Sequence, residues 1–564
     1  MASPTSAVSC PILGSDVLAL ILDELFDEVP SKEFFSLACV HISFYEGIKR
    51  FRGRYQTFHF GRIPGPYNAR VTRKRIQSYL DAPVKLSIVP NIRHITVTSS
   101  HESEEDEEYG RPCLGGFKVD GKWVELLSLV AAIPRLKSLV FKAFEPMPSC
   151  LVHRLEQCHP QARLEIHNWT RHTDDADHMD PCEIALAHSI NLRSLHADLW
   201  TSSSIIDLRI SALKRIVAIA PNLDEVKIRG ENSTTMGFLS VWAPPLLPDV
   251  REKKTLFELH GRPKRFLQSV ELSGSEYLSV LDDIVDYSSL QKLHIDQFQA
   301  VRFHHHEAED MDLLLCTNLS SLQHLTVVLP EVTNNMNHIA HAGPVAEFML
   351  NCKHLETLEI TESAAYDLNL DGIIKYHGES LKRFVLVGNT NSLLQGAACP
   401  LTILETIQAF CPSLEYIGID AHTGEDVSFD TTGFRVLAQI PELKVLHLRC
   451  SFPFTTDQGS NDESIEDFMY AEDYGHRFRA SYGNWIVSLW NFLQARRKEN
   501  GFRSIREVHL TYPEHIRTSL GPRKFAMDVV RASERDDRPD EIRIEGKVPG
   551  FKGLQRRNLK LSVV

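Results

Sequence analysis

An α/β solenoid, with parallel strands along a concave inner face and helices outside, is the fold class this sequence predicts. Three observations carry that expectation: a recurring Leu-x-x-Leu-x-Leu string, an amphipathic helical stripe ahead of several copies, and a chain of 564 residues, far longer than one compact core requires. Between Ile92 and Leu510 the string appears about a dozen times, and its clearest copies read "AIPRLKSLVF", "IAPNLDEVKI", "NCKHLETLEI", "FCPSLEYIGI" and "QIPELKVLHL". Copies start near Ile92, Leu136, Leu164, Leu192, Leu223, Leu267, Leu290, Leu322, Leu355, Leu381, Leu414, Leu443 and Ile505, most of them roughly 23 to 33 residues apart, the irregular spacing of a divergent repeat array.

Each copy reads as two halves. In Leu223 to Ile228, Val226 and Ile228 alternate with polar neighbours, the period of a half-buried strand. Upstream, Leu213, Ile216, Val217 and Ala220 form the stripe of an amphipathic helix, which Pro221 ends because proline cannot continue it. The same stripe is expected in Val345, Phe348, Met349 and Cys352 before Leu355, and in Ile403, Ile407 and Phe410 before Leu414, with Pro412 as the stop. A unit this short cannot bury its apolar face alone, so neighbouring units must stack. The rival is a doubly wound α/β sheet, but no Gly-x-Gly-x-x-Gly or Walker-type loop follows any strand to cradle a phosphate.

Composition narrows the function. A net charge of −13 argues against a general nucleic-acid binder, since neutralising phosphates needs a basic field. Eleven cysteines, odd in number and without Cys-x-x-Cys pairs, fit a reducing compartment. Met1 to Leu22 lacks a positive start and carries Asp16 within its apolar stretch, so neither a secretory signal nor a membrane anchor is expected, and the protein reads as cytoplasmic, nuclear or both.

Ahead of the array, "PILGSDVLALILDELFDEVPSKEFFSLACVHISFYEGIKRFRGRYQTFHF" holds three short helical patterns and a strand-like end. Leu18, Ile21, Leu22 and Leu25 mark the first helix, Phe34, Leu37, Ala38 and His41 the second, Phe44, Ile48 and Phe51 the third. Three helices this short leave apolar surface over, which implies a partner. These residues resemble the F-box, the helical docking module of cullin-based (SCF-type) ubiquitin ligases, and "RYQTFHF" with "TRKRIQSYLDAPVKLSIVPNIRHITV" is similar to the lead into leucine-rich repeats in fungal F-box proteins. The resemblance implies a small all-α module at 10–60 and a bridge at 61–90. The array then runs over 91–512, with insertions at 99–116, 230–266 and 451–482, and a cap or tail follows at 513–564. It also implies a Skp-family adaptor of the ligase as partner, bound through Ile12, Leu13, Val17, Leu18, Ile21, Leu25, Phe34, Phe35 and Leu37.

Alternation along the strands exposes a polar set on the concave side. It includes His94, Ser138 with Lys142, His196 with Asp198, Glu225 with Lys227 and Arg229, and Lys292 with His294 and Asp296. It continues through His324, Thr357 with Glu359, Arg383, Tyr416 with Asp420, His447 with Arg449, and Glu507 with His509. Of these, His196, Lys227, Arg229, Lys292, His294, His324, Arg383, Tyr416, His447 and Arg449 are the expected contacts to a client protein. Histidine recurs there, which makes a proton-sensitive stripe conceivable beside the plainer reading of a solvated strand surface.

Other features point to loops rather than chemistry. The clusters His304 to Glu307 and His172 to His178 contain metal-ligand residue types without the spacing of a zinc hydrolase, and the acidic run His101 to Gly110 reads as a solvated insertion. Trp485, Leu489, Phe492 and Leu493 suggest a helix packing on the last strand. No Gly-x-Ser-x-Gly elbow, His-Glu-x-x-His, kinase set or P-loop is present. The expectation is a non-enzymatic client receptor without cofactor or metal, bound to neither nucleic acid nor membrane. The alternative is a non-catalytic interaction scaffold whose amino-terminal helices only cap the solenoid.

Overall fold

The structure is a computed structural model that describes residues 53–60, 69–82, 88–99, 123–143, 145–169, 180–199, 203–230, 262–274, 276–296, 318–329, 339–361, 368–388, 398–421, 431–450 and 488–511, and strands within 515–545. It is a mixed α/β protein in two compact units, whose described residues are those up to Arg262 and those from Pro263 onward. Residues 10–52 of the amino-terminal module, with every adaptor-docking residue named above, lie outside the described residues, as do His101–Gly110, His172–His178 and His304–Glu307, whereas the end of the module at 53–60 holds the strand Tyr55–His59.

In the first unit, strands β1 (Tyr55–His59), β2 (His94–Thr98), β3 (Ser138–Lys142), β4 (Arg163–Trp169), β5 (Leu192–Asp198) and β6 (Glu225–Arg229) pair in chain order, all parallel. Helices α1 (Ala69–Leu80), α2 (Val124–Ala132), α3 (Ser149–Cys158), α4 (Pro181–His188) and α5 (Ser203–Ile219) alternate with them, and each packs on the next. Among the described residues the ladder therefore starts at Tyr55, ahead of the expected residue 91, and α1 occupies part of the stretch read as a bridge.

Register explains the core. Ile95, Leu139, Leu164 and Leu192 are successive partners across β2 to β5, and Val97, Phe141 and Ile166 form a second row; all are buried. Each buried leucine or isoleucine contributes about 1.5–3 kcal/mol, so the two rows, rather than any single contact, hold the strands together. Local signals place the helices. Asp180 caps α4 by accepting from the Cys182 amide, with Pro181 at the first helical position, and α5 ends at Ile219, ahead of Pro221. Leu213, Ile216, Val217 and Ala220 are buried, as their spacing predicts.

The second unit repeats the scheme. Strands β8 (Ser269–Leu272), β10 (Lys292–Ile295), β11 (His324–Val328), β12 (Thr357–Thr361), β13 (Arg383–Val387), β14 (Tyr416–Ala421), β15 (Val445–Cys450) and β16 (Glu507–Thr511) run parallel in that order; β7 (Arg265–Phe266) and β9 (Val285–Asp286) make a separate short pair. The helices are α6 (Glu276–Asp282), α7 (Ile339–Asn351), α8 (Leu370–His377), α9 (Leu401–Phe410), α10 (Thr431–Leu437) and α11 (488–499). Leu293, Leu325, Leu358, Phe384, Ile417, Leu446 and Val508 make one continuous buried row. Beyond β16 the direction reverses: β19 (Val530–Arg535) pairs antiparallel with it and β20 (Arg538–Glu545) with β19, while β17 (His515–Thr518) and β18 (Gly521–Lys524) form a hairpin.

Two details depart from the periodicity. Helix α9 turns Leu404, Ile407 and, just after it, Cys411 inward, so Phe410, expected in the core, is 42% exposed. In α11, Leu489 and Leu493 are buried as expected, but Trp490 joins them. Arg497 fixes this helix by donating to the carbonyls of Arg503, Ile440 and Pro441 at 2.5, 2.6 and 2.8 Å.

Candidate functional site on the polar strand face

In each unit the strand face opposite the buried rows carries the polar side chains that alternation predicts. In the first unit the rows are set by register: His94 pairs with Ser138, and His196 with Lys227. Asp198 pairs with Arg229 in the same way. The His94 Nδ1 lies 2.8 Å from the Ser138 hydroxyl, and its ring stacks on Tyr55 at 4.2 Å.

A bulge sharpens this face. Between β4 and β5 the register shifts from Ile166 to Trp169, with Asn168 in the left-handed region at φ 57°. That bend brings His167 against His196, ring centroids 4.0 Å apart. His167 was not singled out from the sequence, although alternation along "LEIHNW" carries it. Burial, then Lys142 and Lys227, holds its imidazole down at about 4; burial, then His167 and Lys227, holds His196 at about 3. Both rings are therefore neutral near pH 7. Asp198 is pushed up by burial, with Arg229 opposing.

One trio resembles a hydrolytic site in composition only. Ser194 donates to the Glu225 carboxylate at 3.0 Å and sits 3.1 Å from His196 Nε2. Its one proton is committed to Glu225, so Nε2 must donate to the hydroxyl oxygen, and the ring presents no lone pair to the serine as a general base would.

In the second unit a connected series runs across five strands. Arg383 Nε donates to Glu359 at 2.6 Å, and its guanidinium carbon stands 3.6 Å above the Tyr416 ring centroid. The Tyr416 hydroxyl is 2.8 Å from His447 Nδ1, His447 lies 6.0 Å from His509 between centroids, and His509 Nε2 is 2.8 Å from Glu507. Gly418 makes room: it pairs with His447, and a Cβ there would stand 3.3 Å from the Val385 methyls and 3.5 Å from Tyr416 Cε1. Burial, then His509, lowers His447 to about 4, and burial raises the Tyr416 phenol.

The remaining expected residues divide. Lys292 and His324 are register partners ahead of Thr357, and His294 faces Thr326 one row on. His324 Nδ1 lies 2.9 Å from the Thr357 hydroxyl, and burial, then Lys292, lowers its pKa. Asp420, expected on the open face, is instead 2% exposed. Its carboxylate accepts from the Gly388 amide at 2.6 Å and from Arg449 at 2.7 and 3.0 Å, while Arg449 also donates to the Gly388 carbonyl. Arg449 thus anchors the backbone after β13, because a buried carboxylate needs a charge-assisted partner.

Among the described residues no group of His, Cys, Asp and Glu could hold a metal ion, and no helix is long and apolar enough to cross a membrane. No protein-family model matches the chain, and no curated protein matches it.

Proposed function

We propose that this chain is the client-recognition subunit of a cullin-based, SCF-type ubiquitin ligase. In this reading the helix–strand units are divergent leucine-rich repeats of a solenoid, the segment at 10–60 is an F-box, and the polar strand face binds a client protein. The observation that carries the reading is the in-register ladder: helix–strand units keep their apolar residues on one face and leave a polar surface on the other. Arg and Tyr are enriched among interface anchors, and Arg383 and Tyr416 are already held by each other and by Glu359, which lowers the entropic cost of using them. The resemblance of Pro11–Phe60 to the F-box supplies the other half.

The chain then contributes proximity rather than chemistry. Holding a client beside an activated ubiquitin raises the effective concentration of its lysines, and the bond-forming groups belong to partner proteins. The test is calorimetric titration of the purified chain with a purified Skp-family adaptor. One-to-one binding is expected, lost in the double variant Leu18→Asp, Ile21→Asp while the far-ultraviolet dichroism is retained. Absence of binding by the unmodified chain contradicts the ligase reading and leaves the scaffold reading.

A further inference from the structure

We propose that the strip formed by Lys142, His167, His196 and Lys227, flanked by Arg229, docks an extended, carboxylate-rich segment of the client protein. The proposal rests on the reading of the polar face as the client surface and names what the client presents there.

The strip is a product of register. Phe141 pairs with Ile166 and Ile166 with Leu195, so Lys142, His167 and His196 each follow a paired residue; the bulge after Ile166 sets the His167 ring 4.0 Å from that of His196, and His196 pairs with Lys227. Four strands spaced about 4.8 Å apart make a row about 14 Å long. An extended peptide rises about 3.3 Å per residue, so about five residues cover the row, and side chains at alternate positions fall near its two ends and middle. A single phosphate reaches only one end of such a row, whereas three alternating carboxylates reach all of it.

Charge decides the sign of the ligand. Lys142 and Lys227 press on both histidines enough to help keep them neutral, so a cationic partner meets repulsion and an anionic one relieves it. The acidic groups nearby are Glu165, Glu225 and Asp198. Glu225 lies one row back, bound by Ser194 and 3.4 Å from Lys227; Glu165 shares that row, paired with Ser194. Asp198 lies on the far side beside Arg229, its carboxyl pushed up by burial. Lys142, exposed at the end of β3, makes no ion pair among the described residues.

The experiment is fluorescence anisotropy on the full chain with a labelled peptide of alternating Glu and Ser. Lys142→Glu, which alters an exposed side chain, is expected to weaken saturable binding by at least about tenfold, and Lys375→Ala, at an exposed position on helix α8 of the second unit, is expected to leave it unchanged. A Lys-Ser peptide should not bind, and inorganic phosphate should not displace the acidic one. The proposal is overturned by absence of binding, by equal binding to the Lys142→Glu variant, or by displacement with phosphate. It is also overturned by binding that emerges only after Glu102, Glu104, Glu105, Asp106, Glu107 and Glu108 are replaced by Ser, because the chain's own acidic run then fills the strip. Failure here with client retention still dependent on Arg383, Tyr416 and His447 removes this proposal and leaves the general reading of the face intact.

Discussion

Arg383 and Tyr416, register partners on β13 and β14, hold guanidinium over ring at 3.6 Å while Glu359 takes the Arg383 Nε hydrogen. Arg383→Ala removes the stack and a half-exposed ion pair, which together are worth about 1 kcal/mol. Arg383→Lys should recover the ion pair without the stack, since an ammonium lacks the planar face. Urea denaturation of the three proteins checks both; a loss above about 3 kcal/mol for Arg383→Ala would show the residue to be part of the core rather than of a surface.

His377 is fully buried on α8, where Nε2 donates to the Met349 carbonyl at 2.9 Å and Nδ1 accepts from the Leu355 amide at 3.3 Å. His377→Phe roughly keeps the volume but strands the Leu355 amide and leaves the Met349 carbonyl only the Cys352 amide at 3.2 Å, and a loss of about 1–3 kcal/mol is expected in denaturant melts. His159 does the same service in the first unit, 2.8 Å from the Val130 carbonyl. His159→Phe should therefore destabilise comparably, and a neutral result at both sites would deny the device.

Two glycines should respond to different degrees. A Cβ on Gly378 would stand 2.7 Å from the Ile374 carbonyl oxygen and 2.9 Å from the Phe410 carbonyl carbon, so Gly378→Ala must push backbone apart and cost about 1–3 kcal/mol. Gly343, exposed within α7, has nothing within 4 Å apart from its chain neighbours, but Pro344 follows it and crowds a Cβ held in helical backbone, which offsets the gain in helix propensity, so Gly343→Ala should change stability by less than about 0.5 kcal/mol. Melting both variants side by side separates close approach from helix propensity.

Stability should depend on pH in a defined direction. His447 is held near 4 and faces His509, Arg383, Arg449 and the Tyr416 hydroxyl, whereas an unfolded histidine titrates near 6.5. Between those values the unfolded chain binds more protons, so stability is full above about 6.5 and falls as the pH drops toward about 4. His167 and His196 act in the same sense. Urea midpoints at pH 7 and pH 5 should differ more for the unmodified chain than for His447→Gln; equal differences would show that burial does not govern this ring.

Much of this was legible from residue spacing. Period-two alternation in "LETLEI" and "LKVLHL" marks strands whose leucines are buried, and Pro221 and Pro412 mark where helices stop. What spacing cannot carry is a side chain recruited by a distant backbone. Asp420 alternates like its neighbours, yet the Gly388 amide just after β13 and Arg449 on β15 both bind its carboxylate, and it is buried. His167 escaped notice because the bulge that presses it on His196 is a property of two strands, not one. Leu404 displaced Phe410 from the core through a small rotation of α9, which a three-residue stripe does not resolve.

The central claim is that one end of the chain holds the ligase and the polar strand face holds the client. Affinity purification of two variants, each verified as folded, tests it most directly. Leu18→Asp with Ile21→Asp should lose the adaptor and keep the client, and Arg383→Ala with Tyr416→Ala and His447→Ala should lose the client and keep the adaptor. Loss of both partners together in either variant, or retention of both in each, contradicts the account.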